Sequence, residues 1–146
     1  MIEEISSINL QECARLAKQL WPESALDDLI NDFEIFIGNH DQSCYLYKNE
    51  QDEYCGFVQL SLRSDYVEGS STTPVAYIEG IYVDENHRRT GASKEMIAFA
   101  EEWGRQNGCS QMGSDCELTN TLSIEFHKGV GFTEANRIVC FLKELK

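Results

Sequence analysis

Residues 75–100 read VAYIEGIYVDENHRRTGASKEMIAFA, and the way this stretch divides decides the fold. Its first part, VAYIEGIYVD, is rich in β-branched and aromatic residues and reads as a strand, with Gly80 marking a bulge or a close backbone approach. Beyond it, Met96, Ile97, Ala100, Trp103 and Gly104 fall near helical spacing, which predicts a helix to about Asn107 with Gly108 as its terminator. Between the two lies HRRTGAS, residues 87–93. A helix that begins just after a glycine-containing turn presents unsatisfied backbone N–H groups and the positive end of its dipole, which together make an anion site. Gly91 lets the backbone approach a phosphate, and Arg88 and Arg89 add charge and bidentate contacts. Taken alone, the seven residues fit a solvated basic helix start equally well.

Working outward, INLQECARLAKQLWP signals a first helix, with Asn9 as cap, Glu12 completing a capping box, and Pro22 discouraging continuation. A second helix is predicted from Ser24 to Gly38, with Asp27 and Asp28 in its first turn. SCYLYK and YCGFVQLSLR, separated by the polar NEQDE, read as an antiparallel hairpin. SDYVEGSSTT reads as a loop of the kind that carries binding residues on a rigid scaffold. After the central strand and helix come SQMGSD as a short strand, TNTLSIEFHKG as a short helix, and FTEANRIVCFLKEL as a final strand pair or long bent strand. This order implies a mixed α/β layer fold in one domain, residues 1–146.

The balance of charge is -13, from 12 basic and 25 acidic side chains. That repels a phosphate backbone, so nucleic acid is not an expected partner, whereas a cationic one is the natural complement. No apolar run approaches the ~20 residues of a membrane span, and the start MIEEISS lacks the basic flank of a signal peptide, so a cytoplasmic protein without membrane association is expected. The six cysteines lack C-x-x-C spacing and read as free thiols in a reducing compartment. His40, His87 and His127 lie in separate segments without ligand spacing, so no metal is expected.

Residues 88–93, R-R-T-G-A-S, resemble the Q/R-x-x-G-x-G/A hallmark of the GNAT acetyltransferase superfamily, with Ser93 standing where Gly or Ala is usual. Downstream, Asn120, Ser123, Phe126, His127, Gly131 and Phe132 follow the spacing of a second motif of that family, N-x-x-A-x-x-F/L-Y-x-x-x-G-F. The resemblance implies a GNAT fold, a mostly antiparallel mixed sheet flanked by helices with a bulged, splayed central strand pair. It implies acetyl-CoA as co-substrate, its pyrophosphate cradled by Arg88, Arg89, Thr90, Gly91, Ala92 and Ser93 with Asn120 nearby. Backbone groups of Ile81, Tyr82 and Val83 would meet the pantetheine and acetyl portion. His127 stands where the family often has the tyrosine that protonates the departing thiolate, and both an acid role and a packing role are open to it.

Over nearly the whole chain the sequence is similar to aminoglycoside 6'-N-acetyltransferases, through KQLWP, SDYVEG, YIEGIYV, GSD and the Asn120 segment. By that resemblance Trp21, Tyr66, Glu79 and Asp115 line an aminoglycoside site, Asn136 takes the place of a further acidic contact, and the enzyme is a homodimer. The residue chemistry agrees: a polycation needs carboxylates, its sugar rings suit aromatic faces, and an ammonium must lose a proton before it can attack a thioester. Glu79, with Asp115 second, is the expected carboxylate for that work. Two other readings share parts of this pattern, a GNAT enzyme for polyamines or protein amines and a non-catalytic acyl-CoA-binding module.

Overall fold

The computed structural model describes residues 1–146. They fall into two compact units, Met1–Asp115 and Cys116–Lys146. In the first, β1 (Ile2–Glu4), β2 (Gln42–Lys48), β3 (Tyr54–Arg63), β4 (Val75–Val83) and β5 (Met112–Ser114) form one five-stranded sheet in sequence order. All neighbours are antiparallel except β4 and β5, which are parallel. Helices α1 (Leu10–Leu20), α2 (Leu26–Phe36) and α3 (Ala92–Gln106) complete this unit.

Residues 75–106 divide as their periodicities require: β4, a short 3-10 turn over Glu85–His87, then α3. The register of β3 on β4 shifts between Gln59 and Leu60, which face Gly80 and Ile78, so Glu79 is the extra residue of a bulge. A bulge bends its strand and re-aims a side chain. Pairing of β4 with β5 runs only from Ala76 to Ile78, so β4 continues past the bulge without a β5 partner.

Helix α1 buries Cys13, Ala14, Leu16 and Ala17 in a cluster with Phe33 of α2, Cys44 and Leu46 of β2, and Phe57 of β3. Each large side chain so buried contributes about 2 kcal/mol of transfer free energy. Helix α3 packs on β3 and β4 and buries Met96, Ile97, Ala100 and Trp103. Trp21, just past α1, lies with its ring 5.9 Å from that of Phe57 and its Cζ2 2.6 Å from where a Gly80 Cβ would stand. Gly80→Ala is therefore expected to cost roughly 1–3 kcal/mol by overpacking, read as a lower midpoint in urea unfolding. An unchanged midpoint would mean the indole is not held against the strand.

Several expectations are corrected. The capping box at Asn9 does not form: Asn9 Oδ1 accepts from Ser6 N, and Nδ2 donates to Glu3 Oε1 and the Glu4 carbonyl. Its amide ties the helix start to β1, a three-residue strand too short for alternation to reveal. Helix α2 starts at Leu26 and ends at Phe36, inside the expected span. Cys13, Cys44, Cys55 and Cys109 are buried free thiols, whereas Cys116 and Cys140 are exposed.

The second unit contains α4 (Thr121–Gly129), with Asn120 Oδ1 accepting from Ser123 N as its cap. Residues 133–146 are not the expected final strand; they carry no regular secondary structure. A strand exists only where a neighbour supplies ladder partners, and the five-stranded sheet does not include this segment. No helix is long and apolar enough to cross a membrane.

Candidate active site

The bulge turns Glu79 into a carboxylate with three hydrogen bonds. Ser61 Oγ donates to Oε1 at 2.6 Å, Arg63 Nε donates to Oε1 at 2.9 Å, and Arg63 Nη2 donates to Oε2 at 2.9 Å. The Arg63 guanidinium also lies over the Tyr77 ring, 3.5 Å from its centroid. The Tyr77 hydroxyl in turn donates to Asp115 Oδ2. Burial, and then the carboxylate it donates to, push the Tyr77 phenol well up, so it remains a neutral donor. Side chains of β3, β4 and the end of β5 thus join in one chain from Ser61 through Glu79, Arg63 and Tyr77 to Asp115.

Glu79 and Arg63 open onto a cleft of about 540 Å³ whose wall includes Asn39, Asp41, Asp65 and Tyr66. Tyr66 is 78% exposed, and its hydroxyl donates to Glu68 Oε2 at 2.8 Å, a bond that pushes its phenol up. The loop carrying it is anchored by Val67, buried with Val75 and Tyr77, and by Gln111 Oε1, which accepts from the backbone of Ser71 and Thr72. Tyr66 and Glu79 therefore share one cleft, while Asp115 joins them through Tyr77 and Arg63. Trp21 sits over Gly80, beside Glu79 in sequence but outside the cleft wall. Asp115 does not cap a helix, since Asn120 does so.

At the turn after β4, Asp84 Oδ1 accepts from Asn86 N, Thr90 Oγ1 donates to the His87 carbonyl, and Arg88 Nε donates to the Val83 carbonyl at 3.1 Å. Arg88 therefore braces the end of β4, a role that its adjacency to Arg89 did not reveal. Arg89 has φ 64° and Gly91 has φ 90°, and α3 begins without any side-chain cap. No atom lies within 4 Å of where a Gly91 Cβ would project. A helix start whose first N–H groups, at Ala92 and Ser93, meet no side-chain cap fits a phosphate group. Ile81, Tyr82 and Val83 follow the point where β4 loses its β5 neighbour.

Asn120, His127 and Asn136 belong to the second unit. Asn120 Oδ1 is spent on the helix cap. His127 Nδ1 donates to the Ser123 carbonyl at 2.7 Å, and its ring lies 5.6 Å from that of Phe126 and 5.2 Å from that of Phe132. That bond puts the neutral ring's proton on Nδ1, so Nε2 has a proton to give only as imidazolium. Asn136 Oδ1 accepts from Arg137 N, and neighbouring Glu134 is ion-paired with Arg137, which lowers its pKa.

Ser61, Arg63 and Tyr77 are the residues that sequence reasoning missed. A signal existed: Ser61 and Arg63 alternate on β3, and Tyr77 and Glu79 do so on the next strand. What turns them toward one another is the register, Ser61 opposite Tyr77, and that is a property of the pairing.

The model of the acetyltransferase (GNAT) family matches residues 8–132. The chain is 33% identical to the aminoglycoside N(6')-acetyltransferase type 1 of Serratia marcescens, with 94% of each chain covered. It is 31% identical to that of Acinetobacter haemolyticus, covering 99% and 98%. Among solved structures it is similar to AAC(6')-Iy in complex with the bisubstrate analog CoA-S-monomethyl-acetylneamine, with TM-score 0.94, 32% identity and 99% and 98% of the two chains covered. The apo enzyme AAC(6')-IG of Acinetobacter haemolyticus matches with TM-score 0.94 at 29% identity, covering 100% and 99%. With the bulged strand, the short parallel pair and the uncapped helix start already in view, the conclusion is direct: the chain belongs to the GNAT family of acetyltransferases.

Proposed function

We propose that this chain transfers an acetyl group from acetyl-CoA to the 6'-amino group of aminoglycoside antibiotics, and so confers resistance. The observation that carries the reading is the cleft of about 540 Å³ in which the bulge-borne Glu79 meets the exposed ring of Tyr66, with Asp41 and Asp65 on the same wall. Carboxylates suit a polycation, the aromatic face suits a sugar ring, and the charge of -13 steers a cation toward both.

In this reading Gly91, Thr90 and the N–H groups of Ala92 and Ser93 hold the pyrophosphate, with Arg88 and Arg89 adding charge. Backbone groups of Ile81, Tyr82 and Val83 align the pantetheine arm and polarise the thioester carbonyl. Acetyl-CoA supplies that thioester, to which the amine nitrogen bonds as the carbon–sulfur bond breaks. Glu79 holds the acceptor ammonium and receives, directly or through one water, the proton that leaves its nitrogen. Asp115, held by Tyr77, takes a second ammonium group, Tyr66 lies against a sugar ring, and Trp21 backs the strand beneath Glu79. By the family resemblance alone, Asn120 is assigned to the cofactor, Asn136 to the acceptor, and His127, in its charged form, to protonation of the thiolate.

The whole of residues 1–146 acts as one N-acetyltransferase domain, a reading supported by a family match that extends from residue 8 in the first compact unit to residue 132 in the second. It works in the cytoplasm, where its four buried thiols stay reduced. It also works as a homodimer, supported by Ile138, Val139, Phe141 and Leu142, which are 65% to 93% exposed in a single chain. Replacing Phe141 and Leu142 together with Asp is expected to convert a dimer to a monomer in light scattering. A dimer that survives, or a wild-type chain that is monomeric at working concentration, would count against this interface. The activity itself is tested by acetyl-CoA turnover with kanamycin-type aminoglycosides set against spermidine and peptide amines; silence with every aminoglycoside would overturn the reading.

A further inference from the structure

Arg63 is a cation fixed inside a cleft that the proposed function fills with a polycation. Its guanidinium grips both oxygens of Glu79 at 2.9 Å, stacks on Tyr77 at 3.5 Å, and is itself only 38% exposed. An ionised carboxylate offers roughly four acceptor positions. Ser61 and Arg63 Nε occupy two on Oε1, and Arg63 Nη2, 2.8 Å from Oε1 and 2.9 Å from Oε2, lies between the two oxygens and takes one position on Oε2. One position on Oε2 therefore remains for an incoming ammonium. A planar fork in two-point contact, pinned on an aromatic face, also fixes the direction in which that last lone pair points.

We propose that Arg63 is the acceptor-selectivity residue of this cleft: it fills Glu79 with a built-in cation and leaves one directed hydrogen bond with which to choose the acceptor amine. The inference rests on the aminoglycoside reading above. A rigid polycation that presents one amine at a defined angle satisfies that single position. A flexible linear polyamine is recognised chiefly by charge, and Arg63 subtracts charge from the site. Arg63 is thus a positioning residue that acts through Glu79, and its removal has two opposed effects. The cleft becomes more negative, so cations bind more tightly, while Glu79 loses its orientation, so turnover falls.

The test compares wild type with Arg63→Gln and Arg63→Lys in steady-state acetylation of kanamycin and spermidine, with calorimetric binding of both amines. For Arg63→Gln the expected result is roughly five- to tenfold tighter kanamycin binding, with about tenfold lower kcat. Its preference for kanamycin over spermidine in kcat/KM should also fall. Arg63→Lys keeps the charge and loses the fork, so it should retain wild-type affinity and show the same loss of kcat. A merely structural role would weaken binding of both amines together and leave the preference unchanged. Weaker kanamycin binding in Arg63→Gln, or full turnover in Arg63→Lys, would overturn the proposal. If wild type acetylated no aminoglycoside, the functional reading would fail by itself, and calorimetry would still decide Arg63: tighter cation binding in Arg63→Gln supports it, and equal or weaker binding overturns it.

Discussion

Glu79→Gln is expected to lower kcat/KM for a 6'-amino aminoglycoside about 100-fold and to leave acetyl-CoA affinity unchanged. Glutamine preserves the length of the side chain but offers one acceptor oxygen where the carboxylate offers two. Either the Arg63 Nη2 contact or the Ser61 and Arg63 Nε contacts would then meet an amide NH₂. The substitution also removes the charge that holds an ammonium and the group that can accept its proton. Because Glu79 lies on the bulge facing the cleft, while the proposed cradle is built by the turn after Val83, the two properties should separate. Steady-state kinetics together with calorimetry of acetyl-CoA makes the comparison. Equal losses in turnover and acetyl-CoA affinity, or no loss of turnover, would remove Glu79 from the reaction.

Gly91→Val is expected to weaken acetyl-CoA binding roughly 30-fold, since a left-handed backbone costs a β-branched residue about 1–3 kcal/mol and the new side chain enters the approach to the helix start. Gly91 has φ 90° and nothing within 4 Å of its Cβ direction, so no packing clash inside the chain would confound the result. Gly108 provides a matched control at the other end of α3, with φ 79° and equally open surroundings. Gly108→Val should lose similar stability and keep its acetyl-CoA affinity. If both variants bound acetyl-CoA as wild type does, the pyrophosphate would have to be held elsewhere.

The strand-turn-helix of residues 75–106 was legible because three signals agree there: β-branched alternation, a glycine at the turn, and apolar residues at helical spacing. Gly80 advertised the bulge, and the bulge is what gives Glu79 its position. The tail from residue 133 misled because its composition is that of a strand, whereas strand structure belongs to a pair of segments and the sheet of this chain supplies no partner. Asn9 misled for a related reason, since its amide has two competing uses and the contacts to Glu3 and Glu4 won. Within the site, Tyr66 and Glu79 could be picked individually. The Ser61–Glu79–Arg63–Tyr77–Asp115 chain could not, because it depends on which residues of β3, β4 and β5 fall opposite one another. Resemblance alone places Trp21 in the acceptor site, and its ring packs on Phe57 as well as over Gly80.

The central claim is that the cleft directs acetyl transfer to a 6'-amine. The measurement that tests it most directly is acetyl-CoA turnover on a matched pair of aminoglycosides that carry amine or hydroxyl at the 6' position, with the product located by NMR. A single acetyl group is expected on the 6' nitrogen of the amine compound, with no turnover of its hydroxyl partner; equal turnover of both, or acetylation at another nitrogen, would overturn the assignment.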